Sequence, residues 1–93
     1  MRSPTQRDKF CNGYEYILRQ SRLEPKRAHE MVELEKCFDR YETARASYLD
    51  WLEVDNYLAK SGRYLEFAQV GNAYWYLTKK GDYVRVELIE RSV

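Results

Sequence analysis

The sequence predicts an α+β domain in which helices come first and an antiparallel β-hairpin or three-stranded meander comes last. Three observations support this. Apolar residues between positions 8 and 60 recur every three or four residues, as on one face of a helix. The last three glycines then follow at intervals of nine and ten residues, which is typical of short strands joined by tight turns. Residues 83–90 alternate apolar and polar side chains, as in a half-buried strand.

The 93 residues are expected to form a single domain, with a helical part over residues 8–61 and a β part over residues 63–90. A first helix is predicted over residues 8–22, where apolar residues recur at i, i+4, i+7 and i+8. Pro25 ends or redirects this segment, because the residue before a proline avoids helical backbone angles.

Residues 26–60 are rich in helix formers and contain neither glycine nor proline. Two interpretations remain open. The segment is a single long helix, or it is two helices joined by a turn near Asp39–Thr43. In the second case the inward-facing residues of the later helix are Tyr48, Leu49, Leu52 and Val54.

The β part begins with a hairpin whose turn is Gly71-Asn72. In its second strand Trp75 points to one face, and Tyr74 and Tyr76 point to the other. A chain of this size has only one helical layer, which covers one face. We therefore expect the uncovered face, which carries either Tyr74 and Tyr76 or Trp75, to contact a partner or a second copy. Tyrosines that simply face water are the alternative.

Charge and composition exclude several classes of function. The formal net charge is +1, so the overall basic field of many nucleic-acid binders is absent. No apolar run is long enough to span a membrane, and no secretory signal is visible at residues 1–10. The two cysteines do not make a disulfide framework, so we expect a cytoplasmic protein. His29 is the only histidine, and we expect no enzyme, no metal site and no cofactor.

Residues 43–81 resemble the second half of a winged helix-turn-helix domain of the PadR-like and MarR-like regulators. The resemblance rests on the segment TARASYLDWLEVDNYL and on the ending YLTKKG at residues 76–81. It implies a winged-helix-like fold and a homodimeric transcriptional regulator that binds double-stranded DNA. Its recognition helix would lie in the major groove, and its wing would contact phosphates.

The resemblance also assigns roles to polar residues. Those expected to face base edges are Arg40, Thr43, Arg45 and Ser47. Those expected to hold phosphates are Lys60, Arg63, Lys79 and Lys80, together with Lys26 and Arg27. The alternative function is a non-enzymatic protein-interaction module. It would be an inhibitor or assembly factor, including a phage-encoded one, that binds through its acidic helix or its tyrosine-rich sheet face.

Overall fold

The computed structural model describes residues 15–27 and 29–91, which form an antiparallel sheet with a helix against one face. The strands lie in the order β2-β1-β5-β4-β3, so β5 is the central strand, β1 and β4 lie beside it, and β2 and β3 are the edges. The elements are β1 (Tyr16–Leu23), β2 (Met31–Phe38), α1 (Tyr41–Lys60), β3 (Tyr64–Val70), β4 (Ala73–Thr78) and β5 (Tyr83–Glu90).

The predicted order of helices first and strands last is wrong. Within the described residues there is one helix, and two strands precede it. The part of the first predicted helix that is described is β1, and its earlier residues lie outside the described residues. The single long helix predicted for residues 26–60 is wrong, and of the two-helix alternative only the later helix is present, because Met31–Phe38 is a strand paired with β1. The winged-helix-like arrangement, which needs a helix before the recognition helix, is not present in the described chain.

Helix α1 begins and ends near the positions where the sequence places turns. Its N-cap is Arg40, directly after a bend at Asp39. At the other end Gly62 has a φ of 82°, and its backbone N–H donates to the carbonyl of Ala59. The next backbone N–H, of Arg63, donates to the carbonyl of Leu58. This pair of bonds is a Schellman motif, which fixes the direction in which the chain leaves the helix.

The core lies between α1 and the face of the sheet that it covers. Its buried residues are Leu18, Ala44, Tyr48, Tyr74, Tyr76, Val84, Val86 and Leu88. The helix contributes through Ala44, Tyr48, Trp51 and Leu52, which follow the spacing of one helical stripe. Of the four residues predicted to face inward, Leu49 and Val54 instead lie on the exposed side.

The three C-terminal strands occupy the residues where the sequence places them. The β3–β4 turn is Gly71-Asn72, and Gly71 has a φ of 59°. Asn72 does not share this left-handed conformation, so the turn has its glycine at the first central position, as in type II′. Cys37 in β2 is half-buried and disulfide-bonded, whereas the sequence predicts that the two cysteines do not make a disulfide framework.

Candidate functional site

The topology brings three connecting segments to the same end of the sheet. The β1–β2 loop follows Leu23, and β5 begins at Tyr83, which pairs with Leu23. The β4–β5 turn therefore lies beside that loop. Tyr64, the first residue of β3, pairs with Thr78, so the segment leaving α1 lies beside the same turn. We call this end, formed by residues 24–27, 29–30, 60–63 and 79–82, the basic end.

The basic end carries six cationic side chains, which come from three segments that are distant in sequence. They are Lys26, Arg27, Lys60, Arg63, Lys79 and Lys80. Within the part of the chain that the structure describes, Arg27 is in an ion pair, and the other five have none. All six were predicted to hold phosphates, although as parts of a wing and of a preceding helix. The structure places them at one end of the sheet by a different route, through the pairing of β1 with β5 and of β3 with β4.

The carboxylates at the basic end are each paired with an arginine. Glu24 accepts a hydrogen bond from Arg27 at 2.9 Å, and Asp82 accepts one from Arg22 at 3.0 Å. Glu30 accepts one from Arg85 at 2.8 Å. Negative charge at this end is thus largely compensated by arginines, and the lysines contribute an excess of positive charge.

Loop contacts hold the basic end in shape. Gly81 has a φ of 99°, and a Cβ at this position would lie 3.4 Å from the Pro25 ring, so the two turns are close neighbours. The turn is closed by the backbone N–H of Gly81 donating to Thr78, and by Thr78 donating to Asp82. The lysines therefore project from a closed turn with its own backbone hydrogen bonds.

A polar network links the same end to the sheet beneath α1. Arg22 donates to Glu33 at 2.6 Å and to Asp82, whose residue is only 5% exposed. The hydrogen bond to Glu33 raises the pKa of the Arg22 guanidinium, which stays charged. Gln20 also donates to Glu33, at 2.9 Å. This network stabilises the strand ends from which the basic loops project.

The residues predicted to read base edges lie at the opposite end of the molecule. Arg40 is the N-cap of α1, and Thr43, Arg45 and Ser47 lie in its first two turns. A helix of 20 residues is about 30 Å long, so this group and Lys60 lie at opposite ends of α1. The structure does not bring the base-reading group and the phosphate-contacting group together.

The two predicted contact tyrosines lie in the core. Tyr74 and Tyr76 are 0% and 8% exposed beneath α1. The hydroxyl groups of Tyr64 and Tyr74 each donate to one carboxylate oxygen of Asp55 on the helix, the first at 2.8 Å. Burial and the hydrogen bond to Asp55 raise the pKa of both tyrosines well above the usual value, so both keep their protons.

Trp75 faces the opposite side of the sheet from these tyrosines. There it borders a cavity of about 310 Å³, whose lining residues are Leu23, Glu30, Trp75, Tyr83, Val84 and Arg85. Of these residues, the sequence predicts a binding role only for Trp75. The strand alternation places Tyr83 and Arg85 on one face, but the pairing of β4 with β5 is needed to place them beside Trp75. We call this feature the aromatic cavity.

Neither a metal-binding cluster nor a membrane-spanning helix is found among the described residues. In residues 15–27 and 29–91, no group of three or more His, Cys, Asp or Glu side chains is arranged to hold a metal ion. No helix in the same residues is long and apolar enough to cross a membrane. Comparisons with protein-family models, curated proteins and solved structures find no match to this chain.

Proposed function

We propose that this protein binds nucleic acid and contacts its phosphate backbone through the basic end. One observation carries the proposal. Cationic residues from three connecting segments lie at this end of the sheet, while the carboxylates at the same end are held in ion pairs with arginines. Closely spaced phosphates attract such a cluster, and each phosphate contact releases condensed counterions.

A net charge near zero is compatible with this proposal because charge is unevenly distributed. The opposite end of the sheet holds Glu15, Asp39, Glu42 and Glu90 with fewer cations. Among residues 15–27 and 29–91 the charge is therefore unevenly distributed along the strands, and a polyanion would approach from the basic end. The proposal contains no base reading by α1, because Arg40 and Arg45 lie at the end of the sheet opposite the basic end.

The test compares two double substitutions that remove the same charge. Lys79→Ala with Lys80→Ala removes two cations from the basic end, and Arg40→Ala with Arg45→Ala removes two from the other end. Binding of a labelled oligonucleotide is measured by fluorescence anisotropy between about 50 and 200 mM salt. We expect the lysine pair to weaken binding and to reduce the salt slope by about 1–2, and the arginine pair to change neither.

Two results would contradict the proposal. One is the absence of oligonucleotide binding by the unaltered protein even at the lowest salt concentration. The other is an equal loss of affinity in the two double variants, which would show that net charge matters and that the basic end does not. Circular dichroism of both variants controls for folding.

A protein-interaction role remains a second candidate because of the β3 edge. Leu65 and Val70 are 59% and 66% exposed there, and Glu66 is the one charged residue of β3. An edge strand with few charges offers unpaired backbone groups to another strand. Val70→Lys should abolish a self-association of the unaltered chain seen by analytical ultracentrifugation. A chain that is monomeric at all concentrations would remove the second-copy form of this candidate.

A further inference from the structure

The aromatic cavity combines groups that recognise a flat, polar ring. Trp75 and Tyr83 supply two aromatic side chains from neighbouring strands, and Leu23 supplies an aliphatic wall. Tyr83 is 43% exposed, so part of its surface is free to contact a ligand. At the rim, Arg85 and Glu30 form an ion pair at 2.8 Å and provide hydrogen-bond donors and acceptors.

The cavity and the basic end are contiguous. Tyr83 follows the β4–β5 turn that carries Lys79 and Lys80, with Gly81 and Asp82 between them. Leu23 directly precedes the β1–β2 loop that carries Lys26. A ligand with phosphates on the lysines would therefore have its next chemical group beside the two aromatic rings. The positive charge of the basic end complements phosphates. The aromatic cavity complements the flat base that each nucleotide attaches to a phosphate backbone.

We infer that the nucleic acid bound at the basic end is single-stranded, and that one of its bases stacks in the aromatic cavity. This inference rests on the proposed function. In a duplex the bases are already paired and stacked, whereas an unpaired base can stack on an aromatic side chain. Cationic grooves beside aromatic side chains are how proteins bind single strands with little sequence preference. Arg85 and Glu30 line the same cavity and supply a hydrogen-bond donor and an acceptor to such a base.

The experiment separates the contribution of bases from that of phosphates. Four labelled probes of about 20 nucleotides are compared by anisotropy at low salt: oligothymidylate, oligouridylate, an abasic strand and a duplex. Trp75→Ala should weaken binding of the first two about 5- to 150-fold and leave the abasic strand and duplex unchanged. Trp75→Phe should restore most of the affinity, since it retains an aromatic ring. Equal binding of the DNA and RNA strands would identify the base and phosphate as the shared determinants, and a preference between them would show that the sugar or the 5-methyl group of thymine also contributes.

A second substitution in the cavity keeps the inference testable if Trp75→Ala does not fold. Tyr83→Ser removes the partly exposed ring from the other side of the cavity, and it should weaken the same two probes. Lys79→Ala with Lys80→Ala should weaken all four probes, because it removes phosphate contacts. Thermal unfolding of each variant shows whether its fold is retained.

Different results would contradict the proposed function and the inference of a stacked base. If none of the four probes binds, the proposed function is wrong and the inference falls with it. If the abasic strand and the duplex bind as tightly as oligothymidylate, or if Trp75→Ala and Tyr83→Ser bind all probes unchanged, the basic end contacts phosphates but the cavity holds no base. That result would overturn the inference and leave the proposed function in place.

Discussion

The two faces of strand β4 use aromatic residues for different purposes. On the face beneath α1, Tyr74 and Tyr76 are buried, and Tyr74 stacks near Phe67 with ring centroids 5.7 Å apart. On the other face, the adjacent Trp75 borders a cavity that opens beside the basic end. Because successive side chains of a strand point to opposite faces, one six-residue segment contributes both to stability and to the proposed binding.

The largest difference between the faces should appear in stability. Tyr74→Ala removes a fully buried ring that contacts the helix and neighbouring strands, and we expect it to lower the free energy of unfolding by about 3–5 kcal/mol. Trp75→Ala, on the cavity side, should cost less than half as much, because its ring is not enclosed by the core. Urea unfolding followed by circular dichroism measures both. Equal losses would show that the two faces do not differ in this way.

A smaller effect is expected from the carboxylate that joins α1 to the covered face. Asp55→Ala leaves the hydroxyl groups of Tyr64 and Tyr74 without their acceptor, which should cost about 1–3 kcal/mol. Asp50→Ala is the matched control, since Asp50 lies on the same helix and is exposed. Its cost should stay within about 0.5 kcal/mol. If the two variants unfold at the same urea concentration, Asp55 does not stabilise the covered face.

The two faces of β4 also show how much of the fold can be predicted from the sequence alone. Alternation in residues 73–78 correctly separates Trp75 from its neighbouring tyrosines, but it does not say which side a helix covers. That depends on the route of α1, which crosses the sheet from β2 at one edge to β3 at the other. Asp55 likewise shows no distinguishing pattern, because its two tyrosine partners come from separate strands.

The sequence predicts helix for the residues of β1 and β2 because their apolar residues fit the spacing of a helix as well as the alternation of a strand. In MVELEKCF, Val32 and Leu34 alternate with glutamates, as in a strand, while Met31 and Leu34 also fit a helical spacing. Pairing decides between these possibilities. β1 lies between β2 and β5, and each neighbour satisfies its backbone hydrogen-bonding groups. Such long-range pairing leaves no local signal in an eight-residue segment.

The cations of the basic end were identified from the sequence, but their convergence was not. Lys26 and Lys79 are separated by more than half of the chain. They meet because Leu23 pairs with Tyr83, which brings the β1–β2 loop beside the β4–β5 turn. Only the strand order shows this, so the sequence could supply the candidates and the topology was needed to assemble the site.

The smallest expected effect is a change in pH dependence on the covered face. Burial and Asp55 raise the pKa of Tyr74 well above that of an unfolded tyrosine, which is near 10. A raised pKa in the folded state contributes stability that is complete below pH 10 and declines as the pH rises further, because only the unfolded chain then loses its proton. Tyr74 alone should account for a loss of about 1.4 kcal/mol between pH 8 and pH 11.

Tyr74→Phe isolates this contribution because it keeps the ring and removes the ionisable hydroxyl. Its stability should fall less steeply between pH 8 and pH 11 than that of the unaltered protein, even though the variant starts from a lower value. Tyr57→Phe, at a residue that is 69% exposed on α1, is the control for removing a tyrosine hydroxyl away from the covered face. Urea unfolding at each pH gives the slopes. Parallel profiles for all three proteins would mean that the Tyr74 hydroxyl is not protected by the covered face, and the contrast between the two sides of β4 would then rest on packing alone.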